Sequence, residues 1–369
     1  MSYFISEETE VLLEDVKKFC EREVLPVVKE YDCTGELPRE LYDKAAEFGY
    51  HTLTIPEEYG GPGLSAIDTA CLTEAFGYAD GGFGVTMAAN GLALAPVLLH
   101  GNEEQKKRVC NIALEGGYGA FCLTEAESGS DAAALKTVAE KTKGGYLLNG
   151  SKSFVTNGSF AGFYNVAART ENGISLFIVD GDSDGIEPQP HEDKMGIRLS
   201  DTCEVVFNDV FIPEDNLIGE EGKGFKTALE ALDEGRILIG CVAAGIAQRG
   251  LDEAKNYSLK RKQFGRKIFD HQAIKLKLAD MEMKTEGARQ MIVYALNCRE
   301  RGLSIRKEAA MAKCMASDAA VDVALETIQI MGGYGYSREF PGEKLLRDAK
   351  IFQIFEGTNE IQRLTIVGQ

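Results

Sequence analysis

The stretch Ile351-Phe352-Gln353-Ile354-Phe355-Glu356-Gly357-Thr358-Asn359-Glu360-Ile361-Gln362-Arg363 closes an apolar run with a single acid, Glu356, and places a glycine directly after it. Burial in such a setting disfavours the carboxylate and raises its pKa toward neutrality, which suits a general base. Gly357 lets a backbone or a flat ligand approach where a side chain would block it. On its own the stretch reads equally as a strand or helix end carrying one solvated glutamate. The rest of the chain has to decide between the two.

At 369 residues the chain is too long for one ordinary core and is expected to divide into two or three domains. It is 44% hydrophobic and 27% charged, the balance of a soluble globular protein. A formal net charge of −18 argues against nucleic acid and against anionic lipid as partners. Nine scattered cysteines, with no C-x-x-C pair, fit free thiols in a reducing cytoplasm. The four histidines are not at metal-ligand spacing, so no metal is expected. Met1 leads straight into Ser-Tyr-Phe-Ile-Ser-Glu-Glu with no signal-peptide pattern, and no run of 18 apolar residues predicts a membrane span.

Three regions follow in order. Residues 1–115 read as helices, with Ser6 as an N-cap and Val11, Leu12, Val16, Phe19 and Val24 near helical spacing before Pro26 ends the segment. Helices over Ala66–Ala79 and Ala88–Leu99 follow a Gly/Pro loop at 54–63. Residues 116–220 change period. The turn dipeptides Gly144-Gly145, Asn149-Gly150 and Asn157-Gly158 separate short β-branched or aromatic runs, as in an antiparallel sheet or small barrel. From 221 to 369 long helices return, one interrupted near Gly235, one from His271 past Leu296 and one from Ile305 to Met331; they read as a bundle. The fold class expected is α+β multidomain: an N-terminal all-α domain, a middle antiparallel β domain and a C-terminal four-helix bundle.

Four further segments carry candidate chemistry. Phe121-Cys122-Leu123-Thr124-Glu125-Ala126-Glu127-Ser128-Gly129-Ser130-Asp131 ends in hydroxyls and free N–H groups suited to an anion such as pyrophosphate, or in a plain turn. Phe154 and Thr156 share one face of a strand, where they would stack on and bond to a flat heterocycle, or simply fill a hairpin core. Lys260-Arg261-Lys262-Gln263-Phe264-Gly265-Arg266, with Asp270-His271-Gln272, is a basic cluster in an acidic chain; it suits phosphate or a solvated helix end. Gln329-Ile330-Met331-Gly332-Gly333-Tyr334 reads as a helix stop or as a close approach to a ribose or adenine.

Taken together, in this order and at these spacings, the segments resemble the acyl-CoA dehydrogenases over essentially the whole chain. Met195-Gly196-Ile197-Arg198-Leu199-Ser200-Asp201-Thr202 and Asp233-Glu234-Gly235-Arg236 look like that family's thioester-side motifs. The resemblance implies FAD as cofactor, fatty acid metabolism as setting and a homotetramer. It places Phe121, Leu123 and Thr124 along the flavin ring, Ser130 toward the pyrophosphate and substrate side, and Phe154 and Thr156 against the other face. Arg261, Phe264, Gln272, Gln329 and Gly333 would hold the ADP part across a subunit boundary, and Thr358 the pyrophosphate. Asp233, Arg236 and Ser200 would meet the CoA arm.

Glu356 would remove the pro-R α-proton while a β-hydride passes to flavin N5, giving a trans-2-enoyl-CoA. The thioester carbonyl would accept hydrogen bonds from the Glu356 backbone N–H, beside Gly357, and from the flavin ribityl chain. The electron acceptor implied is an electron-transferring flavoprotein. The short-chain, butyryl-CoA-like branch fits best. Alternatives are an enoyl-CoA reductase run in reverse, an acyl-CoA oxidase and a non-catalytic thioester-binding protein. Departures from the family pattern are Phe154 where tryptophan is frequent, Glu125–Ser130 in place of Glu-Pro-Gly-Ala-Gly-Ser, and an end at Gln369 soon after the active-site segment. Gly84 stands where glutaryl-type members carry an arginine, which disfavours a dicarboxyl substrate. Gly235 stands where some members place the base.

Overall fold

The structure, a computed structural model, describes residues 5–368. Its first region is helical. The helix α1 (Glu7–Phe19) starts at Ser6, whose hydroxyl accepts from the Thr9 N–H. A π turn over Cys20–Val24 then leads into α2 (Leu25–Thr34). Pro26 therefore does not end the segment. It sits in the first turn of α2, where a missing N–H costs nothing, and the wider π turn absorbs the break. The buried face of α1 is Leu13, Val16 and Phe19, whereas Val11 is exposed.

The helices α3 (Arg39–Glu47), α4 (Ala66–Ala79), α5 (Gly81–His100) and α6 (Glu103–Leu114) complete this region. By length and composition α5 could cross a membrane, but 83% of its apolar window is buried inside the protein. It is a core helix, packed on α4 and the first strand, with Asp80 capping its start.

The strands are β1 (Tyr118–Cys122), β2 (Val138–Thr142), β3 (Gly145–Thr156), β4 (Ala161–Thr170), β5 (Gly173–Asp180), β6 (Ile186–His191) and β7 (Thr202–Pro213). They form one sheet in the order β1-β4-β2-β3-β7-β6, with β5 also paired to β4. The sheet is mixed rather than antiparallel, because β4 runs parallel to both β1 and β2.

Asn149-Gly150 is not a turn. It lies inside β3, at a break in register against β7 where the Asn149 side chain donates to the Asp209 carboxylate and accepts from the Asp209 backbone N–H, each at 2.9 Å. Gly150, at φ 147, passes close to Thr137, where a β-carbon would come within 2.8 Å of the Thr137 backbone; the site is a bulge. One face of the sheet buries Tyr146, Leu148, Tyr164, Phe177 and Phe207. The other packs Phe163, Leu176 and Ile178 on α5 and α6 through Ala93, Leu94, Val97 and Val109.

The third region begins with α7 (Gly224–Lys260), which runs through Gly235 without interruption. A small hairpin, β8 (Lys262–Gln263) and β9 (Arg266–Lys267), precedes α8 (Gln272–Glu300) and α9 (Arg306–Met331). The short helices α10 (Gly342–Ile351) and α11 (Asn359–Val367) pack on α9. The expected face of α8 is largely inside: Leu278, Met281, Ala288 and Ile292 are buried and Ile274 packs against them. α4 and α5 also pack on α7, so the first and third regions share one core around Phe19, Phe76, Phe83, Val242 and Ile292. Each such fully buried side chain contributes roughly 1.5–3 kcal/mol by the usual area arithmetic.

Candidate active site

Glu356 lies in the turn between α10 and α11, at φ 53, a left-handed backbone that a non-glycine residue seldom adopts. Three helices hold this turn. From α11, Gln362 Nε2 donates to the carbonyls of Glu356 and Gly357, each at 2.9 Å. From α9, Lys313 Nζ donates to the Gly357 carbonyl at 2.8 Å and to Asn359 Oδ1 at 3.0 Å. From α7, Arg236 Nε reaches the Glu356 carbonyl at 3.4 Å. Thr358 caps α11 by accepting from the Ile361 N–H at 3.3 Å. A strained conformer held from several sides in this way is common where function constrains the backbone.

The Glu356 carboxylate points inward. Its Oε2 is sealed from solvent and has no hydrogen-bond partner among the described residues. Burial pushes its pKa up to about 7, against the opposing pull of Lys313 and Arg236. Gly235 faces it across α7. A methyl group on Gly235 would lie 3.0 Å from Glu356 Oε2 and 2.9 Å from Leu92 Cδ1, so the bare glycine makes room for the acid. One turn on, Leu238 Cδ1 stands 2.8 Å from where a methyl on Gly91 would sit. Leu238, Gly91, Thr54, Met87 and His51 line a narrow cavity of about 10 Å³, room for about one water. The Thr54 hydroxyl is buried without a partner among the described residues.

Asp233 and Arg236 are both buried and bond to each other. Ser200 does not join them. It is 3% exposed, with its hydroxyl accepting from Thr86 and its carbonyl from Lys194. The side chain of Ser200, assigned to the CoA arm by resemblance, packs inward against Thr86. Gly84 lies where α5 meets Val242 of α7, at 2.8 Å from a notional β-carbon, so no longer side chain fits there as packed.

The residues assigned to a flat cofactor fit such a group. Phe154 is 65% exposed at φ 55, an aromatic ring held outward on a strained backbone. Phe121, Thr124 and Thr156 are half-buried and Leu123 is buried. The loop after Leu123 is held by Glu125, which accepts from Lys152 at 2.7 Å and from the Thr137 N–H at 3.0 Å. Burial works against the Glu125 charge, but Lys152 and the donors at 136 and 137 bring its pKa down to about 2. Ser130 is exposed at the end of this loop.

Arg261, Phe264, Gln272, Gln329 and Gly333 are all exposed. Phe264 tips the β8–β9 hairpin at 93% exposure, and Arg261 lies over the Tyr334 ring at 5.7 Å.

The positive φ angles at non-glycine residues were not legible in the sequence, yet among the described residues most of them fall within its motifs: Phe154, Asn157, Ile197, Phe264 and Glu356, with Asp209 the exception. Sequence reasoning missed Lys313, Gln362 and Leu238. The one signal for Lys313 was a lysine inside the apolar run Ala309-Ala310-Met311-Ala312. Among the described residues no cluster of side chains could hold a metal ion.

The sequence matches three family models: acyl-CoA dehydrogenase N-terminal domain over residues 6–116, middle domain over 120–210 and C-terminal domain over 222–369. It is 43% identical to an acyl-CoA dehydrogenase of Bacillus subtilis, covering 98% of this chain and 97% of the relative. Butyryl-CoA dehydrogenase from Megasphaera elsdenii superposes with a TM-score of 0.96 at 40% identity, covering 100% of this chain and 99% of the other. A chain solved in work on the electron transferring flavoprotein of Acidaminococcus fermentans and flavin-based electron bifurcation gives a TM-score of 0.96 at 41% identity, covering 100% and 98%.

Proposed function

We propose that this chain, which belongs to the acyl-CoA dehydrogenase family of FAD-dependent oxidoreductases, uses Glu356 to take the α-proton of a short saturated acyl-CoA. The observation that carries this reading is the Glu356 carboxylate, whose Oε2 is sealed from solvent, unpartnered among the described residues and facing the bare Gly235. A pKa near 7 leaves a carboxylate able both to accept a proton and to be present in quantity at neutral pH. When bound, FAD supplies the acceptor for the hydride that leaves the β-carbon. Phe121, Leu123, Thr124, Phe154 and Thr156 would hold its ring system, and Ser130 and Thr358 its pyrophosphate. Asp233, Arg236, Ser130 and the Gly357 turn would meet the thioester and CoA arm. The backbone N–H of Glu356 would stabilise charge on the thioester oxygen.

Leu238 would end the acyl pocket. It stands one helical turn from Gly235, which faces the carboxylate, and lines the cavity beside Thr54. Chains of about four carbons should therefore reduce the flavin fastest in an anaerobic panel from propionyl- to palmitoyl-CoA. Leu238→Ala should join the cavity to the pocket. It should raise kcat/KM for octanoyl-CoA relative to butyryl-CoA by about 10-fold, the scale of one or two buried methylenes. An unchanged chain-length profile would refute Leu238 as the stop.

Arg261, Phe264, Gln272, Gln329 and Gly333 would grip the ADP part of FAD bound mainly by a second copy, in a homotetramer. Their shared exposure on one chain supports this. Arg261→Ala should weaken FAD retention by about 10- to 100-fold, the worth of a charge-assisted hydrogen bond. A monomer that holds FAD fully at nanomolar concentration would contradict the cross-subunit grip. The structural likeness to a chain studied with an electron transferring flavoprotein supports a flavoprotein of that kind as acceptor.

A further inference from the structure

We infer that Lys313 is a positioning residue for proton abstraction: from α9 its ammonium group anchors the Gly357 carbonyl and supplies the positive charge that faces the Glu356 carboxylate. The inference rests on Glu356 being the base.

Lys313 is fully buried. A buried ammonium is costly unless it is paired and hydrogen-bonded. Its hydrogen bonds go to Gly357 O at 2.8 Å and Asn359 Oδ1 at 3.0 Å, so it grips the peptide immediately after the base. Asn359 is itself fixed by Ser317 at 2.9 Å and Asp318 at 2.8 Å. That network makes the lysine's position a property of α9 rather than of the turn. With no hydrogen bond between them, Lys313 acts on the Glu356 carboxylate through its field, which a low-dielectric interior preserves.

The charged and titratable groups facing this pair are Arg236 from α7 and Cys314 and Asp318 from α9, with Asp233 and Arg306 acting on Arg236 behind them. Asp318 is occupied by Arg363 at 2.8 Å and by Gln353 at 2.7 Å, and Arg236 is paired with Asp233. Lys313 is thus the cation near Glu356 whose own hydrogen bonds are all to neutral groups. Burial lowers its pKa to about 8, so it remains charged at neutral pH. Removing that charge leaves burial less opposed at Glu356, and the acid holds its proton to higher pH.

The test is the pH dependence of anaerobic flavin reduction by butyryl-CoA in the FAD-loaded enzyme. Lys313→Gln keeps a donor for Gly357 but loses the charge. Its rate midpoint should rise by about one pH unit, with the high-pH plateau kept within about three-fold. Lys313→Met loses both features and should show the shift together with a plateau lowered about 10-fold. Lys313→Arg keeps the charge and should keep the wild-type midpoint. The infrared band of the protonated Glu356 carboxyl, identified by its loss in Glu356→Gln, should titrate with the same shifts.

An unmoved midpoint in Lys313→Gln, or a midpoint raised equally in Lys313→Arg, would overturn the inference. If Lys313→Met does not accumulate, the glutamine and arginine pair decides alone. Wild-type reduction in Glu356→Gln would instead overturn the base assignment, which separates the two failures.

Discussion

Glu356→Gln should leave FAD binding and acyl-CoA affinity nearly intact and cut anaerobic flavin reduction by at least about 10³-fold, in line with losing a positioned general base. The amide keeps the size of the side chain but cannot take a proton. Wild-type turnover should fall below a midpoint near pH 7 as the acid becomes protonated. The variant should show no such midpoint. Its stability should hold or rise slightly, because a sealed carboxylate costs desolvation that an amide does not. Gly235→Glu in the Glu356→Gln background should restore part of the rate, since a β-carbon at Gly235 sits 3.0 Å from the original Oε2. Leu92 must yield at 2.9 Å, so recovery should be partial. Wild-type-like reduction in Glu356→Gln would mean that the proton leaves by another route.

Glu356 could be singled out from sequence as the proposed base because an acid after an apolar run and before a glycine is a local pattern. Its elevated pKa is not local. It arises from burial beneath α7, whose Gly235 stands opposite the acid 121 positions earlier in the chain, and is held back by the charges of Lys313 from α9 and Arg236 from α7. The α–β–α order was legible because helical and strand periods differ. Where the reading failed, tertiary bonds outweighed turn chemistry. Asn149-Gly150 has the composition of a hairpin turn, yet reciprocal bonds to Asp209 make it a bulge in a long strand. Pro26 has the signature of a helix stop, yet a π turn carries the chain past it. β4 takes parallel partners through connections that no dipeptide reveals. At Ser200 the motif marks the loop, and packing against Thr86 decides where the hydroxyl points.

That loop is held by charges from both neighbouring regions, and breaking the hold should have the largest effect on stability. Lys344 of α10 bonds at once to Asp80, the cap of α5, and to Asp348, which accepts from the Ile197 N–H at 2.7 Å. Asp80 and Asp348 are 5% and 1% exposed, so neither can turn to water if the lysine is lost. Lys344→Met fills the volume but leaves two buried carboxylates facing each other. Removing one partner of a buried ion network typically costs about 3–5 kcal/mol. The cost should depend on pH in a definite sense. Burial, with Asp80 beside it, already pushes the Asp348 pKa up, and Lys344 opposes that push. Without the lysine the folded protein binds a proton at Asp348 more tightly than the unfolded chain does, so its stability rises as pH falls. The deficit against wild type should therefore be larger at pH 8 than at pH 5.5 when thermal unfolding of the FAD-loaded proteins is compared. Ile197 keeps φ 46, costly for a β-branched residue, and its N–H bond to Asp348 is one of the contacts holding it there. A Lys344→Met protein with wild-type stability at pH 8 would show that the two carboxylates share a proton without cost, and that the junction of the three regions rests on apolar packing alone.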